Sequence, residues 1–425
     1  MLADMQRVRM LAWELSRWGW DFEILSPGAS EVRQDAVEAD SDDFFPAGTI
    51  CHEVGSMCRR IFETAGSRTH AWRTLFPIYQ RGRKLLASGR FDLVYFSTTT
   101  FVYFAIGPIW QRRFNIPYVL DFHDPWVKDQ PVIDTSALGW RRRVSEFVSE
   151  SLERSAVVNA AGLVAVSPRY IEILRNRYKE SQPAWQNLGQ HAVIPFGVLE
   201  QDFVEAHSAH SHASCSASEM ISITYVGAGG PIMVRGFTLV CQTLATLREK
   251  GVQIVSRVRI RLFGTLYNWR DGDPKHLEEV AQRAGIGELV EEFPARVTYR
   301  RSLELLLEAD GALVLGVDDS GYMPSKLFSY ALSGKPLLAL LHRESPAFGQ
   351  FQTYPDLGHA LWFDNDTEMP VVEAEHALVE YLEEAASRRI FDRRSAVGPY
   401  LAPVMAKRHA ELFEKCLKVR TTLVS

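Results

Sequence analysis

Short apolar runs alternate with amphipathic stretches along the whole chain. The runs are four to six residues long and carry apolar residues on both faces, which is typical of strands in a parallel sheet covered by helices. The predicted strands are 22–25, 92–96, 118–121, 163–166, 192–195, 223–226, 258–263, 312–315 and 337–341. Strands that alternate with helices in this way predict a doubly wound α/β sheet.

Two helices illustrate the pattern between the strands. One is predicted over 140–152, with a single apolar stripe on its surface. The stripe consists of Trp140, Val144, Phe147, Val148 and Leu152. A second helix is predicted to begin at Ser167 and Pro168, because serine caps a helix and proline suits its first turn.

The chain divides near residues 206–218, a stretch of Ala, Ser and His without an apolar period that we interpret as an interdomain linker. It separates an N-terminal domain over 1–205 from a C-terminal domain over 219–395. Three histidines and a cysteine in the linker are candidate metal ligands: His207, His210, His212 and Cys215. A solvated tract is the favoured interpretation, because nothing orders these side chains. Two such domains are expected to bind ligands in a cleft at the carboxyl ends of their strands.

The N-terminal domain departs from the usual order of elements. Residues 5–18 already predict an amphipathic helix, and the first predicted strand follows at 22–25. A doubly wound domain normally begins with a strand and a tight loop before that helix. We therefore expect either that the chain starts late or that this domain is built without its first strand and that loop.

Composition narrows the function classes. The chain has 425 residues, and its 47 basic and 52 acidic residues give a net charge of −5, which argues against a dedicated nucleic-acid binder. Five scattered cysteines form neither a disulfide framework nor a zinc motif, so a reducing compartment is expected. No secretory signal is recognised at the start, and the uncharged residues 93–110 are interpreted as strand, turn and helix rather than a membrane span. These features predict a cytoplasmic protein.

The strongest candidate for chemistry is the segment 321–336. Ser325 is predicted to open a short helix that Gly334 closes, and Lys326 and Leu327 follow in its first turn. A cation there opposes the helix dipole. A diphosphate bound by the helix amides and by Lys326 would explain why a lysine stands at this position. The alternative interpretation is an exposed lysine on a loop.

A second candidate lies after the strand at 223–226. Gly229 and Gly230 allow close approach of a phosphate, Arg235 is placed to pair with it, and Gly264 ends the next strand. The glycines alone are weak support, because tight turns also need them. Neither a dinucleotide fingerprint nor a P-loop occurs, which disfavours a dehydrogenase and an NTPase.

A third candidate follows the strand at 118–121. His123 and Asp124 stand at its carboxyl end, where polar side chains face a crevice. They are candidates for binding sugar hydroxyls or stabilising developing charge. The alternative is a structural pair, an aspartate at the strand end with a hydrogen-bonded histidine.

Together these segments resemble a GT-B glycosyltransferase, most closely the retaining family four, also called glycosyl transferases group 1. The matching motifs are D-x-x-D-P-W at 121–126, I-P-F-G-V at 194–198, Y-V-G at 225–227, R-G at 235–236 and P-S-K-L-F through G-K-P at 324–336. The resemblance implies two Rossmann-like domains facing across a cleft, and a final helix within 396–425 that crosses back to the first domain.

The same resemblance implies transfer of a sugar from a nucleoside diphosphate to a hydroxyl acceptor, with retention and without a metal or other cofactor. His123 and Asp124 would act as catalytic residues. The donor would contact Gly229, Gly230, Arg235, Gly264, Tyr322, Ser325, Lys326, Leu327 and Ser329. Three departures from the family stand out. Gly321 and Ser329 replace the glutamates of its E-x7-E pattern, and Ala228 replaces an arginine that usually joins the phosphate-binding lysine. The missing first strand removes the glycine loop that usually flanks the donor phosphates and the acceptor.

Partners and rival functions follow from these observations. A nucleotide sugar and a saccharide or lipid-linked acceptor are expected, in polysaccharide or glycoconjugate synthesis. Residues 51–100 hold eight basic and three acidic residues, which allow peripheral contact with the inner face of a membrane or form a solvated helix face. The departures at Ala228 and Ser329 motivate the main rival, a non-catalytic GT-B subunit or sugar-nucleotide-binding protein. A sugar-nucleotide epimerase is a further alternative with this fold.

Overall fold

The structure is a computed structural model that describes residues 3–28, 44–57, 70–127, 140–210, 219–267 and 269–424. These residues form two compact α/β units, one of residues 196–402 and the other of residues 2–195 with 403–425. The boundary between Pro195 and Phe196 precedes the predicted linker. Residues 206–210 are helical rather than linker, because they continue the helix Glu200–His210. Residues 211–218, with His212 and Cys215, lie outside the described part.

The N-terminal unit is organised around a parallel sheet. Its strands are β1 Glu23–Pro27, β2 Ile50–Val54, β3 Val94–Ser97, β4 Tyr118–Phe122, β5 Gly162–Ala165 and β6 His191–Val193. Strands β3, β4, β5 and β6 pair in that order, and β1 pairs with β2 in a separate parallel ribbon. Every residue of β4 and β5 is buried, as their sequences predict for all residues except Asp121 of β4.

Helices cover this sheet. They are α1 Ala3–Glu14, α2 His70–Leu86, α3 Gly107–Phe114, α4 Trp140–Val158, α5 Pro168–Tyr178 and α6 Ala184–Asn187. The predicted first helix is confirmed by α1. Pro168 begins α5 as predicted, but the Ser167 side chain makes no capping hydrogen bond.

The inward face of α4 differs from the predicted apolar stripe. Val144 is 53% exposed and Phe147 is 69% exposed. The buried face instead carries Glu153, Ala156 and Val157. Glu153 tolerates burial because it pairs with the Arg177 guanidinium and accepts hydrogen bonds from the Tyr178 hydroxyl at 2.7 Å and the Val127 amide at 2.9 Å. A paired carboxylate on the inner face is invisible to a hydrophobic pattern.

The C-terminal unit contains a larger parallel sheet. Its strands are β7 Ile221–Val226, β8 Val258–Phe263, β9 Val290–Phe293, β10 Gly311–Leu315, β11 Leu337–His342 and β12 His359–Phe363. Their spatial order is β12-β11-β10-β7-β8-β9. From β7 the chain adds β8 and β9 on one side. It then returns to place β10 on the other side of β7 and continues outward with β11 and β12. The switch point of the sheet therefore lies at the carboxyl ends of β7 and β10, where doubly wound folds bind ligands.

The helices of this unit enclose the sheet. They are α7 Glu200–His210, α8 Val234–Glu249, α9 His276–Arg283, α10 Tyr299–Glu308, α11 Leu327–Leu332, α12 Pro346–Thr353, α13 Val371–Ser387 and α14 Arg394–Val397. Phe237 of α8, Leu277 of α9 and Leu378 of α13 belong to one buried core with the strands. Tyr381 of α13 donates a hydrogen bond to the Ala312 carbonyl at 3.0 Å and so fixes α13 against β10.

The last helix, α15 Ala402–Val424, groups with the N-terminal unit from residue 403 onward. Arg408 donates to the Val193 carbonyl at 2.6 Å, and Gln190 donates to the Lys415 carbonyl at 3.0 Å. The predicted return of the final helix to the first domain is confirmed.

The uncharged residues 93–110 form β3, a helical turn Phe101–Ile106 and the start of α3, as predicted. Among the described helices, none combines the length and the apolar character that a membrane crossing needs.

Candidate functional site

Lys326 occupies the carboxyl end of β7. Its Nζ donates a hydrogen bond to the carbonyl of Val226, the last residue of that strand. Tyr330 of α11 accepts the Val226 N–H and donates to the Val226 carbonyl, both at 2.8 Å. Burial, together with the nearby charge of Arg296, lowers the pKa of Lys326 to about 7. The cation predicted from the sequence therefore stands at the switch point of the sheet.

The glycine loop after β7 packs against Lys326 through Gly227. A Cβ added there would lie 2.5 Å from the Tyr225 hydroxyl and 3.2 Å from Lys326 Nζ, so only glycine fits without displacement. Gly229 and Gly230 both donate their amides to the Thr265 carbonyl at 3.0 Å. These two predicted site residues are therefore in the loop beside Lys326, but their N–H groups are already used within the protein.

The Thr265 carbonyl is held in place by a buried carboxylate that sequence reasoning missed. Glu292 of β9 is 1% exposed and accepts hydrogen bonds from Thr265 Oγ1 at 2.5 Å and from the amides of Leu277 and Glu278 at 2.9 and 3.0 Å. It thereby caps the start of α9 and fixes the segment that orients the glycine loop. Gly264, a predicted donor-side residue in this segment, has φ +70° and donates its amide to Phe293 at 2.8 Å.

Arg296 is a second cation at the same edge, and the sequence analysis did not select it. It lies in the loop between β9 and α10. Its Nη1 lies 3.5 Å from the Gly264 carbonyl, and its guanidinium carbon is 5.4 Å from the centre of the Tyr267 ring. Its charge contributes to the lowered pKa of Lys326, which places the two cations within electrostatic reach of each other.

Arg235 is predicted to pair with the donor diphosphate. In the structure its partners are protein groups that follow β10 and β12. Its Nη1 is 2.8 Å from Asp318 Oδ2, its Nη2 donates to the Asp364 carbonyl, and its guanidinium lies 5.3 Å from the Phe363 ring centre. These contacts anchor the first turn of α8 to the ends of β10 and β12. In the structure Arg235 thus has a structural role that the sequence did not predict.

The remaining donor-side residues surround the start of α11. The helix begins at Leu327 with Lys326 at the capping position, two residues after the predicted start at Ser325. Leu327 is fully buried, so its side chain belongs to the core. Tyr322 is half-buried and packs against the core of the C-terminal unit. Ser329 is 5% exposed, and its Oγ has no hydrogen-bond partner among the described residues.

His123 lies in a buried polar cluster of the N-terminal unit. Its Nε2 is 2.9 Å from Asp121 Oδ2 and 3.4 Å from Ser97 Oγ. Tyr95 donates its hydroxyl to the same Asp121 oxygen at 2.5 Å, and Arg7 Nε lies 3.1 Å from it. Burial alone would raise the pKa of Asp121, but the charges of Arg7 and His123 hold it well below its usual range. The structural pairing weighed as the alternative for His123 is therefore present, and a catalytic role stays a prediction.

Asp124, the neighbour of His123, is exposed at the strand end. His123 and Asp124 belong to the N-terminal unit, and all the predicted donor-side residues belong to the C-terminal unit. Each unit thus carries its own predicted residues at the carboxyl edge of its sheet.

Residues 5–183 match the family of glycosyl transferase 4-like domains. The N-terminal part of the chain is therefore similar to that family. The match to the glycosyl transferase 4-like domain includes β4, His123 and Asp124, and it confirms the predicted resemblance to group 1 glycosyltransferases. The sequence matches no curated protein.

Several solved structures share the fold over almost the whole length. HepE of Anabaena in complex with UDP and glucose is 12% identical, with a TM-score of 0.57 over 97% of this chain and 95% of that chain. A glycosyltransferase of Rickettsia africae is 11% identical, with a TM-score of 0.57 over 98% and 95%. The N-terminal domain of a trehalose-6-phosphate phosphatase of Candida albicans is 11% identical, with a TM-score of 0.59 over 97% and 93%. These likenesses confirm the predicted two-domain GT-B fold.

Proposed function

We propose that this chain is a retaining glycosyltransferase that moves a sugar from a nucleoside-diphosphate sugar to a hydroxyl acceptor, in polysaccharide or glycoconjugate synthesis. The observation that carries the proposal is Lys326 at the switch point of the C-terminal sheet, beside a glycine that keeps the approach open. The glycosyl transferase 4-like match supports the same class. The structure of HepE holds UDP and glucose, so UDP-glucose is the first donor to test.

In this reaction the bond between the anomeric carbon and the diphosphate oxygen breaks. A bond from the acceptor oxygen forms on the same face, and the acceptor proton passes to the departing diphosphate oxygen. Lys326 would stabilise the negative charge that develops on that oxygen, which is the principal demand of the step. We propose that this fixed positive charge makes a metal ion unnecessary.

The other predicted residues have supporting roles in this proposal. Tyr322, Ser325 and Ser329 would contact the donor sugar and ribose near the start of α11, and Gly264 would border the nucleotide. His123 and Asp124 would contact the transferred sugar or the acceptor. The ion pair with Arg7 keeps Asp121 ionised, so Asp121 holds the His123 ring with its Nε2–H directed at the carboxylate.

Exposed aromatic side chains on the N-terminal unit support a lipid-linked acceptor and peripheral contact with the cytoplasmic face of a membrane. Trp72 and Phe76 of α2 are 37% and 52% exposed, and Phe147 of α4 is 69% exposed. Both helices pack against the turn Phe101–Ile106. Arginines accompany these rings on α2, an arrangement that suits anionic headgroups. Phe62 and three of the eight basic residues of 51–100, Arg59, Arg60 and Arg68, lie outside the described residues.

The rival, a non-catalytic subunit or sugar-nucleotide-binding protein, is favoured by one observation. Ser329, which stands where the family's second glutamate would hold the ribose, is a short side chain and is almost wholly buried. Such a protein would show no turnover of a nucleotide sugar, whether or not it binds one, so binding and turnover must be measured separately.

The test is thermal unfolding of the full chain with UDP, GDP and ADP and their glucose conjugates, followed by release of the nucleoside diphosphate as the readout of turnover. A ligand at one hundred times its Kd stabilises the folded state by about 2.7 kcal/mol, which gives a clear shift in Tm. We expect a shift with one nucleotide, its loss in Lys326→Gln, and its retention in Lys275→Gln, which removes a lysine that is 45% exposed. Turnover supports the transferase, and binding without turnover supports a sugar-nucleotide-binding protein. The absence of any shift contradicts the transferase and favours a non-catalytic subunit.

A further inference from the structure

Apart from Lys326, the phosphate-binding groups that the sequence suggested do not supply the positive charge at the carboxyl edge of β7. The amides of Gly229 and Gly230 are donated to Thr265. Arg235 is paired with Asp318 and with the backbone at the end of β12. Lys326 is a single cation, whereas a nucleoside diphosphate carries at least two negative charges. A second cation is therefore needed at this edge.

Arg296 lies at the same edge as Lys326, but it belongs to the loop after β9, whereas Lys326 belongs to the loop after β10. Val226 of β7 and Phe263 of β8 are register partners, and adjacent strands lie about 4.8 Å apart. Lys326 lies on the Val226 carbonyl, and Arg296 Nη1 lies 3.5 Å from the carbonyl of Gly264, the residue after Phe263. The two cations thus approach the ends of neighbouring strands, one from the loop after β10 and the other from the loop after β9.

The surroundings of Arg296 suit an anion. Its guanidinium packs over the Tyr267 ring, which restricts the plane of the group. A guanidinium is the side chain best suited to bind a phosphate, because it can form two parallel hydrogen bonds with it. Two like charges at close range are unfavourable without an anion between them. The lowered pKa of Lys326 has this repulsion as its second cause, after burial. A bound diphosphate would remove that repulsion.

We propose that Arg296 and Lys326 together form the diphosphate-binding pair of this chain, with Arg296 supplying the charge that Ala228 cannot. This inference rests on the proposed function, because it names the groups that hold the donor in that same site. Arg235 is then a structural residue of the C-terminal unit rather than a ligand contact.

Calorimetric titration of the full chain with UDP, inorganic pyrophosphate and uridine tests the proposal. The variants are Arg296→Gln, Arg296→Lys, Lys326→Gln and the double variant. Arg300→Gln is the matched control, since it removes a neighbouring arginine that is 62% exposed and pairs with Glu304 on α10. We expect Arg296→Gln and Lys326→Gln each to weaken UDP and pyrophosphate at least about tenfold, the loss of one charge-assisted contact. Arg296→Lys should recover part of the affinity, and Arg300→Gln should match the wild type.

Comparison of UDP, uridine and pyrophosphate distinguishes a wrong assignment of Arg296 from a wrong proposed function. If Arg296→Gln binds UDP like the wild type while Lys326→Gln does not, Arg296 is not a phosphate contact and the proposed function stands. If Arg296→Gln weakens uridine as much as UDP, Arg296 contacts the base and the pairing is wrong. If the wild type binds pyrophosphate through both residues but no nucleotide, the anion pair stands and the donor assignment fails. Without ligand, each variant must unfold at the wild-type Tm. If glutamine at position 296 disturbs the loop, the conservative variant Arg296→Lys provides the test instead.

Discussion

Arg7 and Asp121 form an ion pair with no exposed surface on either side chain, and Arg7 Nε lies 3.1 Å from Asp121 Oδ2. Arg7 also donates to the carbonyls of Ile194 and Pro195 at 2.6 and 3.0 Å. Helix α1 is thereby tied both to the carboxyl end of β4 and to the segment that follows β6. The pair holds together three parts of the N-terminal unit that are distant in sequence.

Removal of Arg7 should therefore strongly destabilise this unit. Arg7→Met leaves the Asp121 carboxylate buried without its main counter-charge, and we expect a loss of about 3–5 kcal/mol in the free energy of unfolding. Urea denaturation measures the change. Arg17→Gln is the control, because it removes an arginine that is 67% exposed and should cost less than about 1 kcal/mol. Equal losses in the two variants would contradict the importance of the buried pair.

The same cluster predicts a stability that falls on acidification. Burial, with the charge of Arg7, lowers the pKa of His409 to about 3, so the imidazole is neutral in the folded state. Between pH 6.5 and 3 the unfolded chain binds a proton there that the folded chain does not, so the free energy of unfolding decreases as pH falls through this window. The slope from this group is about 1.4 kcal/mol per pH unit.

Urea denaturation at pH 7, 6 and 5 measures that slope. His409→Gln should flatten it relative to the wild type, whereas His376→Gln, which removes an imidazole that is 74% exposed, should follow the wild type. A His409→Gln variant with the wild-type slope would show that another group controls the acid response.

Much of the architecture could be predicted because its strands are buried on both faces. Tyr118–Phe122 is apolar except for Asp121, Leu337–His342 is apolar up to its final histidine, and the sequence predicts both strands. Ile50–Val54, Val290–Phe293 and His359–Phe363 were missed. The first is a half-exposed edge strand, and Val290–Phe293 contains two glutamates. Its buried Glu292 is stabilised by hydrogen bonds that no pattern of apolar positions can reveal.

Only part of the candidate site could be predicted from the sequence. Lys326 was found because its position in the chain opposes a helix dipole, a local signal. The partner of Arg235, Asp318, lies 83 positions away in sequence, so that pairing required the fold. Arg296 was missed because β9 was missed, and with it the fact that the following loop ends at the carboxyl edge of the sheet.

Affinity for UDP should depend on pH through Lys326. Its pKa of about 7, lowered by burial and by Arg296, means that the free site loses its proton above neutrality, whereas a bound diphosphate raises the pKa and requires the proton. We expect the affinity to fall up to about tenfold per unit between pH 7 and 9, with uptake of up to one proton on binding. Calorimetry at pH 8 in buffers of different ionisation enthalpy measures that uptake. Lys326→Arg should bind UDP with little dependence on pH, and an unchanged pH profile in this variant would contradict the assignment.

Glu292 should support both stability and nucleotide binding. Glu292→Ala leaves two amides of α9 and the Thr265 hydroxyl without their buried acceptor, and we expect a loss of about 2–4 kcal/mol. Because Thr265 holds the glycine loop, UDP affinity should also decrease. Glu291→Gln, at an adjacent side chain that is 53% exposed, is the control and should change stability by less than about 0.5 kcal/mol. Urea denaturation and calorimetry of the same samples provide both values, and full UDP affinity in folded Glu292→Ala would contradict the link to the loop.

Gly227 should be the glycine on which the site depends. A Cβ at this position would lie 2.5 Å from the Tyr225 hydroxyl and 3.2 Å from Lys326 Nζ, so Gly227→Ala must displace the tyrosine, the lysine or the loop. We expect a loss of about 1–3 kcal/mol in stability from this overpacking, and a decrease in UDP affinity that uridine does not share. Gly349→Ala is the contrasting variant, because a Cβ in α12 meets nothing within 4 Å and should stabilise the helix by about 0.5–1 kcal/mol. If Gly227→Ala binds UDP as tightly as Gly349→Ala does, the space beside Lys326 is not where the diphosphate binds.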